Sequence, residues 1–434
     1  MSDMCAGKTA ETAAAVPDAA RRDTPGVLAA LVSRGFSPCL RGFSAIDSYL
    51  GRNGENAVHI LSGADAADLA KLFEDLRYPG AAIAGAALDS DNETYYFHCA
   101  HFESGGAFPR EDCRPSFKLL EFYQDCGTRR FYDPQSNYPL LRAIYGKPVQ
   151  GGVEIDGVST AALWWEYLNP GAERCRALTD GALILAKYFP ETAHREITEI
   201  AAWLQTVPEG PPPGIEEQRL VLAGLLSAPN PAAGFELLKS GGFIAAFWPE
   251  LAVLDDVHHA KEFHPEGNVW KHTLETLRYR KPSARKTACD LRLSLGLLLH
   301  DTGKPIAGSA GSRRFNGHAE LGESQARCFL ERLGFPAALV NDVCYLVRNH
   351  MLPAALSRLP LIRTGEIMAS PLFPVLLELY RCDESSSFKG LDGYYESSAA
   401  YQSFLKNRRN PYRSADGKKL RREQITEAYG GLSK

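Results

Sequence analysis

The residues best suited to chemistry in this sequence stand where an apolar segment ends. The stretch LLLHDTGKP (297–305) runs from leucines directly into His300 and Asp301 and then stops at Gly303 and Pro305. A buried carboxylate without a partner costs several kcal/mol, so an apolar helix that ends on two ionisable groups needs something to hold them. The stretch therefore predicts a buried polar site at the end of a helix.

Other histidines and one more aspartate share this setting. His272 lies in NVWKHTLETL, on a predicted amphipathic helix, and Asp383 in PLFPVLLELYRCD lies on the same helical face as the apolar residues. His318 and His350 each follow a local break in a helical pattern. Imidazole nitrogens together with carboxylate oxygens suit a divalent metal, for which Ni, Mn, Co, Fe, Zn and Mg are the candidates. Taken singly, each histidine is equally well explained as a satisfied core or surface residue.

Composition limits the class of protein. The chain has 434 residues, of which 45% are hydrophobic, and a formal net charge of −4, which argues against a protein that coats nucleic acid generally. Its ten cysteines are scattered without a CxxC pair, which is typical of reduced thiols in the cytoplasm. The first residues lack the apolar core of a signal peptide, and no stretch approaches the roughly 20 apolar residues of a membrane span. We expect a soluble, cytoplasmic protein with no membrane partner; its oligomeric state stays open.

The sequence changes texture along its length and predicts an α+β chain. Residues 1–24 are expected to be disordered. Residues 25–148 alternate short amphipathic helices with strand-like runs such as AVHILS, TYYFHCAHF and SFKLLEFYQD. Residues 149–245 and 246–400 read as two helical blocks, the first interrupted by the proline-rich linker 206–215. Residues 401–434 form a basic tail.

The order His, His-Asp, Asp on helices resembles the metal-binding pattern of the HD phosphohydrolase superfamily. The resemblance implies a metal held by His272, His300, Asp301 and Asp383, and a second metal site of the kind that some members build with His318 and His350. It also implies hydrolysis of a phosphomonoester or phosphodiester, in which metal activates water and neutralises a phosphoryl oxygen. Catalytic roles are predicted for Asp301, which would orient or deprotonate the water, for His300, and for Lys304, which suits a phosphate oxygen as a point charge. A solvated charge at a helix end is the simpler explanation of Lys304.

The region 215–385 is similar to bacterial CCA-adding tRNA nucleotidyltransferases and their poly(A) polymerase relatives. The likeness rests on EEQRLVLAGLLSAPNPAAGFELLKSGGFIAAFWPELAVL followed by EFHPEGNVWKHTLETL. It implies a small mixed α/β nucleotidyltransferase-like head at 25–148, a mostly helical body at 149–245 and an all-α HD domain at 246–400. It also implies a nucleotide or a tRNA-like RNA as substrate.

The head departs from the family at the positions that carry the polymerase chemistry. When the two are aligned without gaps, the family's two metal-binding aspartates fall on Ala57 and His59. The first glycine of the family's Gly-Gly pair is Arg41 here, whereas the aspartate of its Arg-Asp pair is kept as Asp47. Two-metal transfer of a nucleotidyl group needs carboxylate oxygens at both metals, and alanine supplies none. We therefore predict that the head has lost the polymerase reaction.

Two alternatives to the hydrolase prediction stay open from the sequence. Asp89, Asp91 or Glu93 in LDSDNE would supply the missing carboxylates if the head is aligned differently. The chain would then be an active CCA-adding enzyme or poly(A) polymerase. Alternatively, the chain is a non-catalytic protein that binds RNA or a nucleotide, as its basic tail suggests.

Overall fold

The computed structural model describes a sheet-containing head followed by helices. The described residues are 26–52, 57–79, 84–90, 93–99, 115–138, 140–141, 168–258, 267–281, 290–309, 315–356, 358–359, 361–387, 390–408 and 418. The segment 1–24 and most of the basic tail lie outside them.

The described residues of the head form one mixed sheet of seven strands. The strands are β1 (Cys39–Arg41), β2 (Ala57–Ser62), β3 (Leu76–Arg77), β4 (Ala86–Ser90), β5 (Glu93–Cys99), β6 (Tyr123–Asp125) and β7 (Phe131–Tyr132), in the order β3-β4-β5-β2-β1-β6-β7. Only β2 and β5 pair in parallel; the other neighbours are antiparallel. In the described part of the head the sheet is accompanied by three helices: α1 (Gly26–Ser33), α2 (Phe43–Tyr49) and α3 (Ala66–Leu72).

The strand-like runs of the sequence behave differently from one another. AVHILS forms β2 over its full length, and its last three residues are buried. SFKLLEFYQD begins instead as a short 3₁₀ helix (Lys118–Leu120), and only its end forms β6. Both leucines of this 3₁₀ turn are buried, and an apolar run this short fits a buried strand and a buried helical turn equally well.

The rest of the described chain is helical. The first group comprises α4 (Arg174–Tyr188), α5 (His194–Leu204), α6 (Ile215–Ser227), α7 (Ala232–Ser240), α8 (Phe243–Phe247), α9 (Pro249–Ala252) and a 3₁₀ turn (Val253–Asp256). The second comprises α10 (Val269–Arg278), α11 (Leu291–Leu299), α12 (Lys304–Ser309), α13 (His318–Arg332), α14 (Ala337–Asn349), a 3₁₀ turn (Pro353–Ala355), α15 (Leu361–Ala369), α16 (Phe373–Ser385) and α17 (Asp392–Arg408). The prediction of an α+β chain with a mixed head and a mostly helical remainder is confirmed.

One apolar core joins the head to the helices. It extends from Ala45 on α2 through Trp248 and Trp270 to Phe404 on α17. A smaller core, which includes Leu31, packs under the sheet. The boundaries predicted at 245/246 and 400/401 fall inside α8 and α17, so these helices cross them. None of the helices in the described ranges is long and apolar enough to cross a membrane.

Candidate metal centre

The four predicted metal-binding histidines are placed by helix ends and one helix face. His272 lies in the first turn of α10, which begins where the Asn268 side chain accepts the backbone N–H of Lys271 at 3.0 Å. His300 and His350 are the residues that directly follow α11 and α14, and His318 is the first residue of α13. All four side chains are buried or nearly so.

Backbone carbonyls fix the proton on three of these imidazoles. In His300, His318 and His350 the Nδ1 atom lies 2.7, 2.9 and 2.6 Å from the carbonyl oxygen three residues earlier. A carbonyl only accepts hydrogen bonds, so each Nδ1 carries a proton and donates it. In a neutral ring the lone pair is then on Nε2, the arrangement found in metal-binding histidines.

The Nε2 atoms of these three rings lack satisfactory partners. His300 Nε2 is buried and makes no hydrogen bond, although it lies 3.2 Å from an oxygen of Asp301. His318 Nε2 and His350 Nε2 face each other at 3.0 Å. Two lone pairs at this distance repel unless a proton or a metal ion lies between them. Burial lowers the pKa of His350 to about 4 and also lowers that of His318, so a shared proton is poorly held at neutral pH.

Asp301 lies between two groups of histidines. Its Oδ2 is 3.2 Å from His300 Nε2 and 3.9 Å from His272 Nε2. Its Oδ1 is 3.6 Å from His318 Nε2 and 4.0 Å from His350 Nε2. Two sets of three potential ligands result, each with its ligand atoms within 4.8 Å of one another, and both include Asp301.

Asp383 on α16 completes the first group. Its Oδ1 lies 3.0 Å from His272 Nε2 and 3.9 Å from His300 Nε2. Burial favours the protonated acid, but the hydrogen bond and charge of His272 outweigh it and hold the pKa of Asp383 below its usual range. Its side chain is 26% exposed, against 1–2% for His272, His300 and Asp301, so this side of the group is open to solvent.

The donor set fits a transition metal. Four imidazoles and two carboxylates are a nitrogen-rich environment that suits Ni, Co, Mn, Fe or Zn better than Mg, which prefers oxygen ligands and bound water. The structure brings together all seven side chains that the sequence singled out: His272, His300, Asp301, Lys304, His318, His350 and Asp383. Their roles as ligands and catalytic groups stay predictions.

Sequence reasoning missed three supporting residues. The Ser386 hydroxyl lies 3.2 Å from His272 Nδ1 and donates to the Asp383 carbonyl, so it orients the ring of His272. Phe315, in a left-handed backbone conformation (φ 48°), supplies the carbonyl that holds His318. A Cβ on Gly303 would lie 2.0 Å from the His318 carbonyl oxygen, so this glycine allows the turn after Asp301 to approach α13. The sequence indicated Gly303 only as a helix stop.

A separate cleft of about 840 Å³ lies between the sheet of the head and the helices that follow it. Ala57 and His59 project into it from β2, so the two positions aligned with the family's aspartates carry a methyl group and an imidazole. His59 Nδ1 lies 3.0 Å from His98 Nε2, and burial together with Arg41 lowers the pKa of His59 to about 3. Asp89 also lines the cleft.

The acidic residues suggested as replacements for the family's two aspartates either bind other side chains or lie outside the described residues. Asp89 is held by Arg77, whose Nε is 2.9 Å away, and by the Thr94 hydroxyl. Glu93 accepts the hydroxyl of Tyr95. Asp91 lies outside the described residues.

One segment of the helical part of the chain matches a recognised class of domain. A family model described as "HD domain" matches residues 269–372. This range contains all four histidines and Asp301, and Asp383 follows it. The chain therefore carries an HD domain in its C-terminal part, and the predicted resemblance to the HD superfamily is confirmed.

Similarity to curated proteins concerns tRNA nucleotidyltransferases. The chain is 33% identical over 231 residues to the CC-adding tRNA nucleotidyltransferase of Thermus thermophilus, a match covering 50% of each protein. It is 32% identical over 188 residues to the A-adding tRNA nucleotidyltransferase of Deinococcus radiodurans, covering 41% of each. Among solved structures, the CCA-adding enzyme of Bacillus stearothermophilus in complex with CTP aligns with 94% of this chain and 90% of its own, at 15% identity and a TM-score of 0.43. The homology to CCA-adding and A-adding nucleotidyltransferases predicted from the sequence is confirmed, but the chain spans half or less of the length of these curated relatives.

Proposed function

We propose that this protein is a metal-dependent phosphohydrolase of the HD type that acts on a phosphoester of a nucleotide or an RNA end. The observation that carries the proposal is the pair of Nε2 atoms of His318 and His350, which face each other at 3.0 Å while both Nδ1 atoms donate to carbonyls. A cation relieves this repulsion. The position of Asp301 between two groups of histidines supports the same proposal.

The chain's own residues have distinct parts in this proposal. Asp301 offers one oxygen to each group of histidines, and its burial excludes water from competing for them. Asp383 is the most exposed acid of the site, so it lies where water and a phosphoester enter. A divalent ion bound there supplies a Lewis acid and lowers the pKa of water. Lys304, whose Nζ donates to Asp301 Oδ2, is a cation of the site that suits a phosphoryl oxygen.

The homology supports the choice of substrate class. The relatives are named for adding nucleotides to tRNA, so nucleotides and RNA ends are the phosphoesters to test first. In this proposal the head no longer transfers nucleotides, because β2 offers Ala57 and His59 where carboxylates are required.

The test combines metal analysis with turnover. Purified full-length protein is assayed on p-nitrophenyl phosphate and on 2′-, 3′- and 2′,3′-cyclic nucleotides with Ni, Mn, Co or Mg. We expect hydrolysis with at least one transition metal. Asp301→Asn should lose more than about a hundredfold in kcat, which exceeds the effect usual for a residue that only hydrogen-bonds to a metal ligand. Asp256→Asn removes an equal charge from an exposed position and is the matched control. Absence of turnover in protein with measured bound metal, or an unaffected Asp301→Asn variant, refutes the proposal.

Nucleotide addition is the second candidate, because the relatives carry that activity in their names. Incorporation of radiolabelled CTP or ATP into tRNA lacking its 3′ end tests it directly. We expect none, and incorporation above a no-enzyme control shows that the head is still active whatever the HD site does.

A further inference from the structure

Lys304 forms an ion pair in the middle of the candidate metal centre. It is the first residue of α12, three residues after Asp301, and its Nζ donates to Asp301 Oδ2 at 2.5 Å. The lysine side chain is 12% exposed and that of Asp301 is 2% exposed. Nζ also lies 5.9 Å from the centre of the ring of Phe315, the residue whose carbonyl holds His318.

The lysine contacts the oxygen that faces one group of histidines. Oδ2 is the atom 3.2 Å from His300 Nε2 and 3.9 Å from His272 Nε2, whereas His318 and His350 face Oδ1. An ion bound through Oδ2 at about 2 Å lies less than about 5 Å from an Nζ that keeps its present contact. A divalent cation and an ammonium at that separation in a buried site repel strongly.

We infer that Lys304 is a built-in counterion of the metal-free centre that competes with the metal for Asp301. Without metal, the ammonium compensates a carboxylate that would otherwise be buried with its charge unbalanced. When metal binds at the His272–His300 group, Lys304 leaves Asp301 and becomes available to contact a phosphoryl oxygen of the substrate. The inference rests on the proposed function.

A purely structural ion pair predicts the opposite response of metal affinity. If Lys304 only supports the fold, its removal loosens the site and weakens metal binding. If Lys304 competes, its removal tightens binding, because the metal no longer displaces an ammonium. The sign of the change therefore separates the two roles.

The experiment measures binding of Ni²⁺ to metal-stripped full-length protein by titration calorimetry. We expect Lys304→Met to bind at least about tenfold more tightly than the unsubstituted protein. Lys304→Gln, which keeps a hydrogen-bond donor without the charge, should change in the same direction and serves if the methionine variant folds poorly. Lys304→Arg keeps the charge and should bind no more tightly than the unsubstituted protein. Lys271→Met removes an exposed lysine next to His272 and controls for the general loss of positive charge.

Thermal melting provides a second readout. Metal-free Lys304→Met should melt below the unsubstituted protein, and saturating Ni²⁺ should raise its melting temperature by a larger increment. Unchanged or weaker Ni²⁺ binding in both neutral variants overturns the inference while leaving the proposed function intact. Equal tightening in Lys271→Met or Lys304→Arg also overturns it. If the unsubstituted protein binds no transition metal, the proposed function fails, and this inference fails with it.

Discussion

Replacing Gly303 by alanine should separate the two halves of the candidate metal centre. The new Cβ would lie 2.0 Å from the His318 carbonyl oxygen and 2.5 Å from the Gly322 nitrogen, both backbone atoms that cannot rotate away. Ordinary contact begins at 3.4 Å, so the turn after Asp301 and the start of α13 must separate by about 1.4 Å. Metal sites tolerate errors in ligand distance of only about 0.2 Å. Binding that depends on His318 should therefore be lost.

Stability should fall as well, because overpacking a well-filled site costs about 1–3 kcal/mol. Denaturant unfolding of metal-free protein measures this cost, and titration with Ni²⁺ measures affinity and stoichiometry. Gly26→Ala is the control: its Cβ meets nothing within 4 Å, so its effect should stay within about 0.5 kcal/mol. If Gly303→Ala retains both the stability and the metal stoichiometry of the unsubstituted protein, the close packing of this turn against α13 does not position His318.

Three further predictions concern groups outside the metal centre. The pKa of His59 is lowered to about 3 and that of His98 lies well below its usual value, so between about pH 6.5 and 3 the unfolded chain binds protons that the folded chain does not. The free energy of unfolding should therefore decrease as the pH is lowered through this range. Denaturant unfolding at a series of pH values should show a smaller decrease in His59→Gln. Lys187 Nζ donates to buried Asp47 at 2.8 Å, so Lys187→Met should lower the free energy of unfolding by about 3–5 kcal/mol in denaturant unfolding. Adding Asp47→Asn should recover part of this loss, because the unpaired buried charge is then removed. Equal losses in the single and the double variant contradict the view that the two charges compensate each other. Arg280 is 5% exposed and donates to backbone carbonyls at the end of α6. Arg280→Met should therefore lower the free energy of unfolding by about 1–3 kcal/mol for each carbonyl left unsatisfied. A change below about 0.5 kcal/mol, the scale of a surface substitution, would show that water replaces the guanidinium as hydrogen-bond donor.

Local patterns predicted the elements of the site better than its contacts. The strand AVHILS and the helices around His272 and Asp383 follow from hydrophobic periodicity, which is a property of neighbouring residues. The 3₁₀ turn at Lys118–Leu120 was not predictable in this way, because its short apolar run suits a strand equally well and tertiary packing decides between the two.

The pairing of side chains across the site depends on distances that a sequence does not contain. His318 and His350 are 32 residues apart, and their contact arises because α13 packs along α14. The bonds from Nδ1 to the carbonyl three residues earlier depend on where each helix ends, and helix ends are the least predictable part of a pattern. The pair Lys304–Asp301 was within reach of the sequence, since residues three apart on a helical turn are neighbours.

A network of hydrogen bonds and ion pairs without metal is the strongest competing explanation of the centre, and it accounts for only part of the geometry. His272 can donate to Asp383 at 3.0 Å, and Lys304 can neutralise Asp301, so these two acids are satisfied by protein groups. The facing Nε2 atoms of His318 and His350 are not, since both rings already donate from Nδ1. If the two rings shared one proton, the site would have to raise the pKa of one of them, whereas burial lowers the pKa of both His318 and His350. A site built only for structure gains nothing from this repulsion, because an apolar pair of similar volume would pack there without it. The facing geometry of the two rings therefore supports the proposal that they bind a cation.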